Sequence, residues 1–432
     1  MQESRREISL RPLSKEDRVV LDRLREFGDA WIVGGWVRDV LSGFPSDQIA
    51  DMDIATSLRP NEVKEIFPRS LMVGEKFGTV VVRIGDPDSF EYQCEVTTLR
   101  SDGGYSDGRR PENVVFGDEI GEDLSRRDFT INAMAIEPCG KMVGNDDPMG
   151  KLLDNHRGEE DLASGLLRAV GDAEKRLGED GLRVIRAFRF LEGGENGVRT
   201  LDPWLSNAIS SNLEMLEKVS KERIWDELRK ILTGHHSNEI VRIMHKNGVL
   251  DKILPGVTVN LEVLHSDDHV VNLALLCSSE TSDGSVLSEK LAKELRLSRK
   301  EISAICLLHG LRGLEIDTSI KSVRRFIATL DYSSRGRILD YLSGSGVKIK
   351  EFEECYHSYG ELRAGGSPLI DGNLISSLTG LEAGRKLGRL KEWLHTIQVE
   401  EDIGNRDALI AIIDEIGWEE SEFESWPQLS WP

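Results

Sequence analysis

Two glycines followed by two closely spaced aspartates constrain this chain more than any other feature: Gly34-Gly35-Trp36-Val37-Arg38-Asp39, then Asp51-Met52-Asp53. The preceding run, Ala30-Trp31-Ile32-Val33, is apolar and built of strand formers, so a strand is expected to end at the glycines and a helix to open near Val37. Glycines let the backbone pass close to a phosphate, a helix start beyond them favours an anion, and Arg38 adds a fixed charge. Asp39 is placed to brace the turn. If Asp51 to Ala55 is a strand, its period of two puts Asp51 and Asp53 on one face. Mg²⁺ typically takes one or two protein carboxylates plus substrate phosphates, which suits nucleotidyl transfer by two metals. Asp-x-Asp and Gly-Gly are each common by chance, and it is their order that carries the inference.

The 432 residues suffice for two to four domains. No apolar run approaches the roughly 18 residues of a membrane span, so a helical membrane protein is excluded. The stretch Met1 to Pro12 mixes Arg with Glu and has no apolar centre, so a cytoplasmic location is expected. The cysteines, Cys94, Cys139, Cys277, Cys306 and Cys355, form no Cys-x-x-Cys pair and read as reduced thiols, not zinc ligands. Fifty-five basic against 76 acidic residues leave a net charge of −21, which argues against indiscriminate nucleic-acid binding and leaves room only for a local basic face.

Between Asp29 and Pro138 the pattern predicts strands at Ala30–Val33, Asp51–Ala55, Thr79–Ile84, Phe90–Thr98 and Thr130–Ile136, and a helix at Asn61–Ile66 after Pro60. That is a mixed α/β or α+β domain. From Gly158 onward helical spacing dominates, with apolar stripes at Leu182, Ile185, Ala187, Phe188 and Phe190, at Ile224, Leu228, Ile231 and Leu232, and through Leu291–Leu311 and Leu374–Ile397. Loops are expected at Gly193–Gly197, Ser278–Ser285 and Gly365–Ser367. The expected division is 1–150, 151–235 and 236–432.

Three further stretches carry chemistry. Alternation along Phe90–Thr98 puts Glu91, Gln93 and Glu95 on one face, and Glu95 can complete a carboxylate cluster with Asp51 and Asp53. In Arg126-Arg127-Asp128-Phe129-Thr130-Ile131-Asn132, Arg127 can meet a phosphate while Asp128 and Asn132 can bond a ribose hydroxyl. In Glu179-Asp180-Gly181-Leu182-Arg183, read as one helix, Glu179 and Asp180 share a face with Arg183. The set is either an intrahelical ion pair or a recognition element. One carboxylate acceptor beside one guanidinium donor matches cytosine and adenine, which present an amino group beside a bare ring nitrogen, and mismatches uracil and guanine. Arg186, one turn on, joins the nucleotide-binding set.

Taken together these motifs resemble the class II tRNA nucleotidyltransferases, the family of CCA-adding enzymes and bacterial poly(A) polymerases. The resemblance runs from about Ala30 to Leu232. It takes in Gly34-Gly35 to Asp53 with Ile54-Ala55-Thr56, Lys76-Phe77-Gly78-Thr79, Arg126 to Ala135, Glu179 to Arg183, and Ser220-Lys221-Glu222-Arg223-Ile224. It implies an α+β head of the DNA polymerase β-type nucleotidyltransferase fold followed by an all-α neck, body and tail that cradle the acceptor arm of tRNA. It also implies template-independent CCA addition from CTP and ATP. Asp51 and Asp53 would bind Mg²⁺, Glu95 would complete the catalytic set, and Gly34, Gly35, Arg38, Arg127, Asp128, Asn132, Asp180, Arg183 and Arg186 would bind nucleotide. No membrane and no protein partner are expected.

The chain departs from the family after Phe190, where Leu191–Gly197 replaces an apolar helix continuation. Beyond Thr233 only helical spacing and a tail-like segment, Arg296 to Ile302, are similar. A full-length loop from Leu99 to Gly121 disfavours CC-only addition, and the acidic, tryptophan-bearing stretch Glu415–Pro432 disfavours poly(A) synthesis. A-only addition stays a rival. A non-catalytic RNA-binding protein is disfavoured by Asp51, Asp53, Asp180 and Arg183 standing together. His265-Ser266-Asp267-Asp268-His269 lacks a partner motif for a metal phosphohydrolase, and its histidines are read as loop residues.

Overall fold

The computed structural model describes residues 6–73, 78–86, 89–101, 115–262, 264 and 266–432. The chain divides into two compact units, Met1–Gly256 with Glu294–Arg296, and Val257–Lys293 with Leu297–Pro432.

The first unit begins with β1 (Glu7–Ser9), α1 (Lys15–Arg25), β2 (Ala30–Val33), α2 (Gly35–Leu41), β3 (Asp53–Thr56), α3 (Pro60–Ile66) and β4 (Leu71–Met72). It continues with β5 (Thr79–Asp86), β6 (Ser89–Thr98), β7 (Arg100–Ser101), β8 (Val115–Phe116), α4 (Ile120–Ser125), β9 (Ala135–Cys139) and β10 (Met149–Leu153). Ser14 and Asp17 close a capping box at the start of α1, which buries Val20, Leu21 and Leu24. Among the described residues eight strands form one sheet in the order β1-β10-β9-β2-β3-β6-β5-β4. All four residues of β2 are buried, as an interior strand covered on both faces requires. The core beneath includes Ile32, Val37, Ile54, Val82, Val96 and Ile136.

Register places the site. β2 runs antiparallel to β3 with Val33 opposite Asp53, and β3 runs parallel to β6 with Asp53 opposite Glu95. The glycine turn after Val33 therefore lands beside Asp53.

Two strand expectations are corrected. The strand expected from Asp51 starts at Asp53, leaving Asp51 ahead of the sheet and exposed. The strand expected over Thr130–Ile136 starts only at Ala135, after a 3₁₀ turn at Thr130–Asn132. There Thr130 Oγ1 donates to buried Asp161 (2.6 Å) and Asn132 Nδ2 to Asp128 (3.3 Å), side-chain bonds that compete with a ladder. Helix α2 opens at Gly35, two residues before Val37.

Beyond β10 the first unit is helical apart from a short parallel pair. Its elements are α5 (Gly158–Ala163), β11 (Leu166–Leu167), α6 (Ala173–Glu179), α7 (Leu182–Arg189), β12 (Thr200–Leu201), α8 (Pro203–Ser211), α9 (Lys221–Leu232), α10 (Ser237–Lys246) and α11 (Val249–Ile253). The departure after Phe190 is a 3₁₀ turn at Gly194–Asn196, and β12 pairs with β11 just beyond it.

The second unit opens with α12 (His269–Leu276), α13 (Gly284–Leu295, whose last two residues group with the first unit), α14 (Arg299–Gly310), α15 (Ile320–Thr329) and α16 (Tyr332–Gly344). It closes with α17 (Lys350–Ser358), α18 (Gly372–Thr379), α19 (Arg385–Glu400) and α20 (Arg406–Ile412). Ile375, Leu390, Leu394, Leu409, Trp418 and Trp426 share one apolar core there. The loop reading of His269 is corrected: it opens α12, whose first N–H groups are capped by Asp268. His265 lies outside the described residues. All five cysteines are free, Cys94 and Cys277 buried and the others half-buried. Among the described residues no helix is long and apolar enough to cross a membrane.

Candidate active site

Gly34 sits at φ 75°, and a Cβ there would lie 3.1 Å from Asp53 Oδ2 and 3.5 Å from Arg127 Nη1. Only glycine fits both the left-handed backbone and that approach. Burial raises the Asp53 carboxyl to about 6; Glu95 and Asp51 push the same way and Arg127 opposes them. Asp53 thus sits beside the glycine turn with two further carboxylates near enough to act on its charge, although among the described residues no three acidic, His or Cys side chains converge closely enough to hold a metal ion by themselves. Asp51 is close enough to act on the Asp53 charge although it stands off the strand face the sequence suggested.

Asp39 braces the loop between glycines and aspartates. Its Oδ2 accepts the Ala50 N–H at 3.0 Å and its Oδ1 accepts Arg38 Nε at 2.9 Å, while Arg38 Nη1 donates to Asn132 Oδ1 at 2.9 Å. The residue before Asp51 is thereby tied to α2.

Asp128 is buried, and Arg186 donates to its Oδ2 from Nε (2.8 Å) and Nη2 (2.5 Å). Burial alone would raise its carboxyl, but Arg186, Arg183 and the Phe129 N–H outweigh it and hold the group at about 2. Arg127 donates from Nη1 to the Asn132 carbonyl (3.2 Å) and from Nη2 to buried Asp123 (3.4 Å). Each sequence-selected group here is anchored before any ligand arrives.

The segment Glu179–Arg183 is not one helix. α6 ends at Glu179, Asp180 is extended, and α7 starts at Leu182. Asp180 makes the break, its Oδ1 accepting the Leu182 N–H at 3.0 Å to start α7, while glycine is required at 181 because a Cβ there would fall inside the van der Waals radius of the Met215 carbonyl. Arg183 donates to Glu179 Oε2 (2.7 Å), Arg176 O (2.8 Å) and Arg126 O (3.0 Å), while Asp180 Oδ2 accepts from Arg223 of α9 (3.3 Å). Glu179 and Arg183 do form the ion pair foreseen as one alternative, and Asp180 is held by a different arginine.

These groups line one cavity of about 1000 Å³, with Gly34, Gly35, Arg38, Asp53, Glu95, Arg127, Asp128, Asn132, Asp180, Arg183 and Arg186 in its wall. Asp51 is not among its lining residues. Arg223, quoted above within the Ser220–Ile224 motif, also lines it, as do Arg189 and Arg199, which sequence reasoning passed over together with buried Glu227, which pairs with Arg189 (3.1 Å) and Arg186 (3.7 Å). The three-residue spacing of Arg183, Arg186 and Arg189 was the available signal for Arg189. Lys76, Phe77, Glu91 and residues 102–114 fall outside the described side chains.

A glycine turn on a half-buried carboxylate, at the end of a mixed sheet and opening into an arginine-walled cavity, fits a nucleotidyltransferase head. Residues 30–168 match the family described as Poly A polymerase head domain, and residues 200–261 match "Probable RNA and SrmB- binding site of polymerase A". A CCA-adding enzyme of Lactobacillus johnsonii is 31% identical over 406 residues, covering 90% of this chain and 94% of that protein. The CCA-adding enzyme of Geobacillus stearothermophilus is 41% identical over 249 residues, 57% of this chain and 56% of its own length. Among solved structures, the Bacillus stearothermophilus CCA-adding enzyme in complex with CTP superposes with a TM-score of 0.75 at 25% identity, covering 94% of this chain and 98% of that one. The chain belongs to the tRNA nucleotidyltransferase family of the CCA-adding enzymes.

Proposed function

We propose that this protein completes the 3′ end of tRNA, adding C, C and A from CTP and ATP without a nucleic-acid template. The observation that carries the reading is a single cavity whose wall holds Asp53 and Glu95 together with Asp180 and Arg183. Phosphate chemistry and base choice are thus served by one chamber.

The tRNA 3′ oxygen attacks the α-phosphate, its proton leaves, and the bond to the β-phosphate breaks to release pyrophosphate. Asp51, Asp53 and Glu95 would share Mg²⁺ with the substrate phosphates, and the ion would supply neutralisation of the developing phosphoryl charge and a more acidic 3′ hydroxyl. Gly34 and Gly35 keep the turn clear of side chains, and Arg38 and Arg127 face the phosphates. Asp128 and Asn132 address the ribose, with Arg186 keeping Asp128 ionised. Asp180 accepts the exocyclic amino group of C or A, and Arg183 donates to the ring nitrogen. We assign the head to residues 1–150, the neck to 151–235, and the tRNA-binding body and tail to 236–432. CTP, ATP and tRNA meet in the cytoplasm, where we place the protein.

The test uses tRNA transcripts ending before CCA, after C and after CC, each with CTP and ATP singly and together, followed by 3′-end sequencing. Completion of all three supports the reading. Extension of only the CC-ended transcript would make the protein an A-adding enzyme.

A further inference from the structure

The arginines gathered around Phe190 do not balance. The guanidinium groups of Arg38, Arg186 and Arg189 stand 5.3, 4.9 and 4.2 Å from the ring centroid, and Arg199 donates from Nη1 to the Phe190 carbonyl (3.0 Å) and the Glu192 carbonyl (2.5 Å). Three of the four have a carboxylate: Arg38 has Asp39 (2.8 Å), Arg186 has Asp128 (2.5 Å) and Arg189 has Glu227 (3.1 Å). Arg199 is only 7% exposed and has no carboxylate at ion-pair distance among the described residues. Glu192, whose charge reaches Arg199 without pairing with it, is engaged by the His236 ring and backbone N–H, each at 2.9 Å.

A buried guanidinium that forms no direct ion pair is costly unless an anion completes it. Burial and then the charge of Arg38 pull Arg199 down to about 10, outweighing the opposing charges of Asp39 and Glu192. Both of its contacts use Nη1, so the rest of the fork remains for a ligand, and the side chain lines the cavity described above. We propose that Arg199 binds the terminal phosphates of the incoming nucleoside triphosphate, and therefore the pyrophosphate that leaves. This rests on the nucleotidyl-transfer reading of the cavity. An RNA phosphodiester offers the same oxyanion with a single charge. The cation that acts most strongly on Arg199 is Arg38, and two neighbouring guanidinium groups match a polyphosphate better than a monoanion.

The experiment compares wild type with Arg199→Gln and Arg199→Lys, measuring calorimetric affinity for cytidine, CMP, CDP, CTP and pyrophosphate, and the KM for tRNA. Loss of a charge-assisted phosphate contact should weaken CTP and pyrophosphate about 10- to 100-fold in Arg199→Gln. Cytidine and CMP should be little changed, the tRNA KM unaltered, and Arg199→Lys intermediate. A merely structural role would weaken every ligand alike, cytidine included, and would overturn the assignment. So would unchanged CTP binding with a raised tRNA KM, which would point to the phosphodiester. If Arg199→Gln does not fold, graded loss in Arg199→Lys decides by the same criterion. Wild type that neither binds CTP nor extends tRNA would instead refute the underlying reading.

Discussion

Asp53 is held at a cost to the fold. Its pKa stands at about 6 when folded against 3.8 for the free group, so the native state binds the proton more tightly than the unfolded chain. Stability contributed at this residue therefore falls as pH rises from 3.8 to about 6, and the full penalty persists above that. Asp53→Asn should stabilise the metal-free protein at pH 7.5 by about 2 kcal/mol, visible as a higher Tm by calorimetry. The advantage should shrink on titration to pH 5, and added Mg²⁺ should raise the Tm of wild type more than that of the variant. A variant Tm at or below wild type at pH 7.5 would contradict this account. Asp128 is the opposite case, held at about 2 chiefly by Arg186 against its burial, so its charge persists wherever the fold does.

At the level of elements, the legible parts of the sequence were those set by local spacing. β2, β5 and β6 emerged from apolar and alternating runs, and the ionic partner of Glu179 from an i, i+4 interval. Hidden were features decided by what packs from elsewhere. The extended Asp180 had a local signal that a one-helix reading overrode, an aspartate whose Oδ1 caps the Leu182 N–H, but its pairing with Arg223, 43 residues away, had none. Arg199 was invisible for the same reason, since its neighbours converge only once the turn at Gly194–Asn196 forms. Gly181→Ala should accordingly lower the urea midpoint by the equivalent of about 1–3 kcal/mol and displace Asp180, loosening the preference for CTP and ATP over UTP. A midpoint and base preference equal to wild type would show that the break tolerates a methyl group.

Across the whole molecule, a chain of net charge −21 concentrates arginine in one cavity. Acidic surroundings should suppress attachment to RNA at large and leave the cavity mouth as the attractive region. The second unit has its own anchor. Trp431 is buried against Phe326 (centroids 4.6 Å) and Phe352 (5.8 Å), and its Nε1 donates to Ser322 Oγ at 3.2 Å. Trp431→Ala should cost that unit about 3 kcal/mol. Calorimetry should then show one transition shifted down by several degrees and a second left within about 1 °C, since a 150–250-residue unit moves about 2–4 °C per kcal/mol. A uniform shift of both would mean that the units unfold together.

The two adjacent glycines would look alike in any pattern search, yet they carry different genetic burdens. Position 34 combines φ 75° with Asp53 Oδ2 at 3.1 Å, whereas at position 35 an added methyl would press on the Ala50 side chain at 3.1 Å and make ordinary contact with Arg38 Nη2 at 3.6 Å. In a saturation-mutagenesis library selected for tRNA maturation, codon 34 should yield no surviving missense allele, while codon 35 should still return alanine. Survival of alanine at both codons would show that the turn has more slack than its geometry implies. One doublet thus holds an immutable letter beside a negotiable one.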